Sequence, residues 1–148
     1  MLETGWKRCQ DTDLPTNATH LAGMLGYAYA LVGRVGDGLP LLELAVREAE
    51  STSRHFHSQS VIWLGEAHLA AGRADAPLRC GEDGLRLASD RHERGNEAYA
   101  LRLLGAVAAR ERADGAGEDY LVRALALAEE LGMRPLAAHC RRGLAAIR

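Results

Sequence analysis

Aromatic residues are scarce in this chain, at 5% of 148 positions, with a single Phe and two Trp. The residue types that favour strands are correspondingly thin, which argues against a sheet. No uninterrupted apolar run approaches the roughly 20 residues needed to cross a membrane. The opening stretch MLETGWKRCQDTD has charge on both sides of one Trp and lacks the apolar core of a secretory signal. Cysteine is rare as well. Cys9, Cys80 and Cys140 stand far apart without a CxxC spacing, the pattern of reduced, mostly buried thiols in a cytoplasmic protein. There is no basic surplus either, since the formal net charge is −2, and this speaks against a nucleic-acid partner. No GxxxxGK[ST] phosphate loop occurs. No Ser-His-Asp arrangement can be identified, and Ser51, Ser53, Ser58 and Ser60 read as cap and surface residues near a loop. The chain is therefore not expected to be an enzyme.

Ala, Leu and Gly are plentiful, and 47% of the residues are apolar, enough for a packed core. A single domain of this length buries about 68–70% of its extended-chain surface. Ala and Leu are strong helix formers, so the expectation is an all-α protein.

The informative feature is internal repetition. Leu25-Gly26-x-x-Tyr29 recurs as Leu64-Gly65-x-x-His68 and as Leu104-Gly105-x-x-Ala108, with a weaker fourth copy at Leu144-Ala145. Gly33-Arg34 recurs as Gly72-Arg73. Ala45 maps to Gly84 and Ala124, and Ala49 to Ala88 and Ala128. All these markers keep steps of 39 or 40 residues. Each unit reads as two helices. The first spans about 19–32, 57–71 and 97–110; the second spans about 39–51, 75–89 and 118–131. A seventh helix covers about 135–147.

Local signals agree with this division. Val61, Leu64, His68 and Leu69 share one helical stripe, as do Leu121, Ala124, Leu125 and Ala128. Gly33, Gly72 and Gly132 stand where helices should end in a left-handed residue. Pro40 and Pro135 sit near first turns, and Pro77 a little deeper. Gly26, Gly65 and Gly105 are expected at the contact point on the first helix, with Ala45, Gly84 and Ala124 facing them from the second. No helix pair can bury its apolar face alone, so the pairs must stack.

Leu-Gly-x-x-Tyr on a first helix, a glycine four residues on and small residues on the second helix resemble the tetratricopeptide repeat. The family repeat is roughly 34 residues long, so this one has longer helices or loops. The stretches 124–147 and 93–110 are similar to the C-terminal repeat region of bacterial ATPase-type signalling regulators and adenylate/guanylate cyclases. The resemblance runs from about Leu21 to the end. It implies a right-handed solenoid, interaction or regulation rather than chemistry, and a setting within a larger bacterial signalling protein. The sequence departs from the pattern at Pro77, Gly81 and Gly84, where Ala or larger residues are usual. The Lys and Asn carboxylate-clamp pattern of some tetratricopeptide domains is absent, so a chaperone-tail partner is not implied.

Other candidate sites are weaker. The glycines of GRVGDG (33–38) superficially resemble a GxGxxG phosphate loop but read as a helix–helix turn. His57 and His68 on one helix would lie about 16 Å apart at about 1.5 Å rise per residue, too far for one metal. His68 and the His139-Cys140 pair read as packing residues, and Glu48, Glu50, Glu129 and Glu130 as solvated faces. No metal or cofactor is expected, and a hydrolase reading would rest on scattered histidines alone.

The architecture that follows is about seven helices. Residues 1–18 form a loop or partial helix, and 19–148 a repeat domain with units at about 19–56, 57–96 and 97–132 and a final helix at 133–148. On the repeat register Gly23, Ile62, Arg102 and Arg142 are equivalent, as are His20, Gln59, Tyr99 and His139. The candidate binding residues on a concave first-helix face are Tyr27, Gln59, Glu66, Tyr99, Arg102, His139 and Arg142. Among them Arg102, Arg142, Tyr99 and His139 form a basic, aromatic wall suited to an acidic or carboxylate-ended segment. The expected function is protein or peptide binding, and the alternative is a small-molecule-sensing regulatory domain. The last helix carries Leu136, Ala137, Cys140 and Leu144 on a stripe with no following helix; either the stripe packs back on the sixth helix or it pairs with another chain, and weak self-association as a homodimer through that helix is the expectation.

Overall fold

The computed structural model describes residues 1–11, 15–52, 54–111 and 115–147. These form eight α-helices and, among the described residues, no strand. They are α1 (Leu2–Asp11), α2 (Pro15–Leu31), α3 (Val35–Thr52), α4 (Arg54–Ala70), α5 (Asp75–Asp90), α6 (Arg94–Glu111), α7 (Ala116–Glu130) and α8 (Arg134–Ile147). Helices α2 to α8 are the seven that the repeat implies, with ends moved by about one turn at most. The additional helix, α1, occupies the segment expected to be a loop or partial helix. Leu2, Gly5, Trp6 and Cys9 follow helical spacing there and lie half-buried, with Glu3 in the first turn and Arg8 in the last. Pro15 opens α2, where its missing N–H costs no hydrogen bond. Thr12, Asp13 and Ser53 lie outside the described residues.

Four of the connections are one motif. In α2–α3 the Arg34 N–H donates to the Tyr29 carbonyl at 2.8 Å across Gly33 at φ +84°. Arg73 donates to His68 across Gly72 (φ +74°), and Met133 to Ala128 across Gly132 (φ +69°). This six-residue closure satisfies orphan carbonyls at a helix end and requires a left-handed residue. The fourth copy, Glu93 to Ala88 at 2.9 Å, uses His92 at φ +57°. Only Gly33 of the GRVGDG stretch lies in a turn, because α3 begins at Val35 and takes in Gly36 and Gly38. For the same reason Pro40 lies inside α3 rather than near its first residue.

The glycines on the first helices do sit at close crossings, but their partners differ from those expected. A Cβ at Gly26 would lie 2.8 Å from the Gly38 carbonyl oxygen and 2.9 Å from Leu42 Cγ. At Gly65 it would meet Cys80 Cβ at 2.7 Å, and at Gly105 it would meet Leu121 Cγ at 2.7 Å. Ala45 and Gly84 instead face the preceding turn of the first helix. Gly23 approaches Ala45, and the smallness of Gly84 admits Ile62, whose Cγ1 lies 2.6 Å from where a Cβ would be. The reason is geometric: an antiparallel hairpin pairs residues about equally distant from its turn. Gly81 likewise makes room for Leu104, so the two glycines that depart from the family pattern accommodate larger neighbours while α5 runs unbroken.

Each helix packs on the next in sequence, and α2, α4, α6 and α8 also touch in series; elements further apart make no contact among the described residues. The hairpins therefore stack one on another, each burying its neighbour's face. Small side chains dominate the interior: Ala45, Ala49, Ala67, Ala88, Ala98, Ala124 and Ala128 are fully buried around Leu42, Leu103 and Leu104. The stripe on α8 is not left over. Leu136, Ala137 and Cys140 join Ala98, Leu101, Ala124 and Ala128 in one core cluster. It packs back on α6 and α7, which removes the reason for expecting self-association through it. No helix among the described residues is long and apolar enough to cross a membrane.

Candidate functional site

All seven candidate residues lie on the even-numbered helices, which form one continuous layer. Tyr27, Gln59 and Tyr99 line a small cavity of about 180 Å³ together with Ile62, Trp63 and Asn96. Arg102, His139 and Arg142 line a larger one of about 850 Å³ between α6, α8 and the start of α7. Glu66 joins the two groups. Its Oε2 accepts from the Tyr27 hydroxyl at 3.4 Å, and its Oε1 pairs with Arg102 Nη2. One polar line thus crosses α2, α4 and α6.

Arg102 is not the open carboxylate receptor that its register suggested. Its side chain is 15% exposed and already holds the Glu66 carboxylate, itself 16% exposed. Burial pushes the Arg102 guanidinium down from its ordinary value, against the favourable influence of Tyr27 and Cys140. Its Nε is buried without a hydrogen-bond partner among the described residues. Tyr27 stacks on Trp63 with ring centroids 5.0 Å apart and planes at 9°. Burial raises its phenol, Arg102 opposes the rise and Tyr99 adds to it. Tyr99 is 38% exposed and His139 is exposed. His139 is held below the ordinary imidazole value by burial first, then by Arg102 and Arg142.

The large cavity follows from the repeat register. The position held by Tyr27 and Glu66 becomes Ala106 and then Ala146, and both alanines line the space. Gly117 and Gly143 remove further volume, and Leu121, Ala109 and Ile147 complete an apolar lining. The space is an open cleft rather than an enclosed void, since Ala109, Arg110, His139, Arg142, Ala146 and Ile147 in its lining are exposed. Arg110 and Glu118 also face it. Arg110 Nη1 donates to the Leu69 carbonyl at 2.8 Å, at the C-terminal end of α4. Reading residue types alone missed Arg110, Trp63 and Asn96. The drop from Tyr27 and Glu66 to Ala106 was the available signal for the cavity.

Other polar candidates are structural. Ser58 and Ser60 are buried, not surface residues. Ser58 Oγ donates to Glu93 Oε2, and Asn96 Nδ2 donates to Ser58 Oγ at 3.0 Å and to Glu93 at 3.1 Å. Glu130 takes a two-point contact from Arg94 at 2.8 and 2.6 Å, and Glu129 pairs with Arg141. His68 is 8% exposed. Burial raises the Cys80 thiol to about 11. Among the described residues no three His, Cys, Asp or Glu side chains converge as a metal site.

In comparison with known proteins, no family model matches the chain and no curated protein matches it.

Proposed function

We propose that the chain is an interaction module of the tetratricopeptide kind, working in the cytoplasm as part of a bacterial signalling or regulatory protein. The even-numbered helices form its receiving face, and an acidic protein or peptide segment is the partner. One observation carries this reading: the seven candidate residues fall on one helix layer, six lining two cavities and the seventh bridging them. A preformed surface of this kind binds with little ordering cost on the protein's side. The aromatic group at Tyr27, Trp63 and Tyr99 supplies anchors, and Arg142 supplies charge.

The test is selection of displayed random peptides on the immobilised chain, followed by affinity measurement on Tyr99→Ala and Arg142→Ala. Each substitution is expected to weaken the selected acidic peptides about tenfold, the effect of losing an aromatic anchor or a charge-assisted contact. Selection of no sequence class, or equal binding by both variants, would remove the reading.

A second reading, a small-molecule-sensing domain, is favoured by the larger cavity. Its volume of about 850 Å³ lies within the roughly 300–1,000 Å³ typical of ligand sites.

A further inference from the structure

We infer that the cavity between α6, α8 and the first turn of α7 is a binding site for an aliphatic carboxylate. The inference rests on the proposal above that the even-numbered helices form a receiving face, and it names the ligand class of the larger cleft.

The argument begins with charge. Among the described residues four basic side chains face the cleft: Arg102, Arg110, His139 and Arg142. Two of them already have partners. Arg102 holds Glu66. Arg110 donates to the Leu69 carbonyl, a neutral acceptor, and so keeps its positive charge. His139 is held below its ordinary value, first by burial and then by Arg102 and Arg142. Arg142 has no hydrogen-bond or ion-pair partner among the described residues, whereas its neighbour Arg141 is taken by Glu129. Among the described residues the one carboxylate in the lining, Glu118, has an interaction of its own. With Arg102 balanced by Glu66, the charges of Arg110 and Arg142 set against that of Glu118 leave about one net positive charge among the described lining residues, which suits a monoanion better than a doubly charged phosphate. The start of α7 reinforces the sign. Its first turn lines the cleft at Gly117 and Glu118, and first-turn N–H groups lack intrahelical acceptors at the positive end of the helix dipole.

The rest of the wall is apolar. Ala106, Ala109, Leu121, Ala146 and Ile147 offer no hydrogen-bonding side chain, and the volume far exceeds a carboxylate group alone. The complementary molecule places its charge at Arg142, with imidazole N–H donation from His139, and lays an aliphatic body against the alanines. Such a group belongs either to a free small acid or to the carboxyl end of a peptide, and the same chemistry recognises both.

The experiment is methyl NMR on the full chain with labelled alanine. It is titrated with hexanoate, hexanamide, inorganic phosphate, and acetyl-Ala-Ala-Ala-Leu with a free or amidated terminus. Hexanoate or the free-acid peptide is expected to shift the Ala106, Ala109 and Ala146 methyls. The matching amide is expected to bind about tenfold more weakly, and Arg142→Ala to lower acid affinity by a similar factor with thermal unfolding unchanged. Ala106→Phe, which fills the cleft, should abolish the shifts. A response to hexanoate assigns the site to free acids, and a response to the peptide alone assigns it to a chain end. Equal binding of acid and amide, an unaffected Arg142→Ala variant, tighter binding of phosphate, or no shift at saturation would each overturn the site. If peptides bind elsewhere on the even-helix face while these methyls stay still, the interaction reading stands and the carboxylate site falls.

Discussion

His92 occupies the left-handed position that Gly33, Gly72 and Gly132 hold in the other three equivalent turns, at φ +57°. That conformation costs a residue with a Cβ about 1–2 kcal/mol, partly offset by the greater unfolded freedom of glycine. His92→Gly should therefore stabilise the fold by about 0.5–1 kcal/mol in chemical denaturation; a loss of stability would show that the exposed imidazole makes contacts worth more than the strain. Glycines within α3 give an opposed pair. A Cβ at Gly38 would overlap the Gly26 carbonyl oxygen and reach Ala30 N at 3.3 Å, both backbone atoms that cannot swing away. Gly36 has nothing within 4 Å. Gly38→Ala should cost about 1–3 kcal/mol by overpacking, while Gly36→Ala should gain up to about 1 kcal/mol in helix propensity. Matching changes in the two variants would contradict the crossing geometry. These residues also show what the sequence discloses. Three turn glycines were legible because glycine announces a positive φ. The fourth turn was hidden because His can adopt the same conformation. Gly26, Gly65 and Gly105 were legible as notches, but Ala45, Gly84 and Ala124 were matched to them by repeat position rather than by distance from the turn, which selects the wrong helical turn.

Between elements, the Glu66–Arg102 pair joins α4 to α6 with both side chains mostly buried. Removing one member leaves an uncompensated charge in a low-dielectric place, whereas replacing both with apolar groups relieves the desolvation cost. Glu66→Ala should destabilise by about 3 kcal/mol, and Glu66→Leu with Arg102→Met by much less. An additive double-mutant cycle would mean that the two groups do not interact. The pair was not legible in advance: register placed both residues on one layer, but which side chains meet across helices depends on the packing of Ile62 against Gly84 and on the space left by Ala106. Titration supplies a second handle. His20, His57, His68 and His139 are all held below 6.5, each with burial as the first cause. Above pH 6.5 folded and unfolded chains are both largely unprotonated at these sites, so stability there is insensitive to pH. As pH falls through 6.5 the unfolded chain takes up protons first, and stability declines until the folded-state values are passed. Urea midpoints should therefore drop from pH 7.5 to pH 5.5, and His68→Phe should make the drop shallower. A rise in stability on acidification would refute the assignment of burial as the dominant influence.

Across the whole chain, serial packing means that neighbours alone hold each helix. Helix α6 is gripped by α4, α5, α7 and α8 and buries eight residues, from Ala98 to Ala108. Among the described residues helix α1 touches α2 alone, and it buries none of its own. Glu3 of this helix accepts a hydrogen bond from Tyr29, whose ring carries Arg34 at 4.2 Å from its centroid. In a one-dimensional stack, stability is a sum of local terms and nearest-neighbour interfaces, so opening energies are unequal along the chain. Native-state hydrogen exchange should find α1 amides opening at a small fraction of the global free energy and α6 amides opening only with global unfolding. Helix α8 should lie between them, since its buried stripe on α6 and α7 anchors it on one side only. The same inequality bears on the candidate site. The large cavity is walled by the strongly held α6 on one side and by α8 on the other, so occupancy should raise protection in α8 more than in α6. Uniform protection from α1 to α8 would mean that the chain unfolds as one block, and the neighbour-by-neighbour account of its stability would then be wrong.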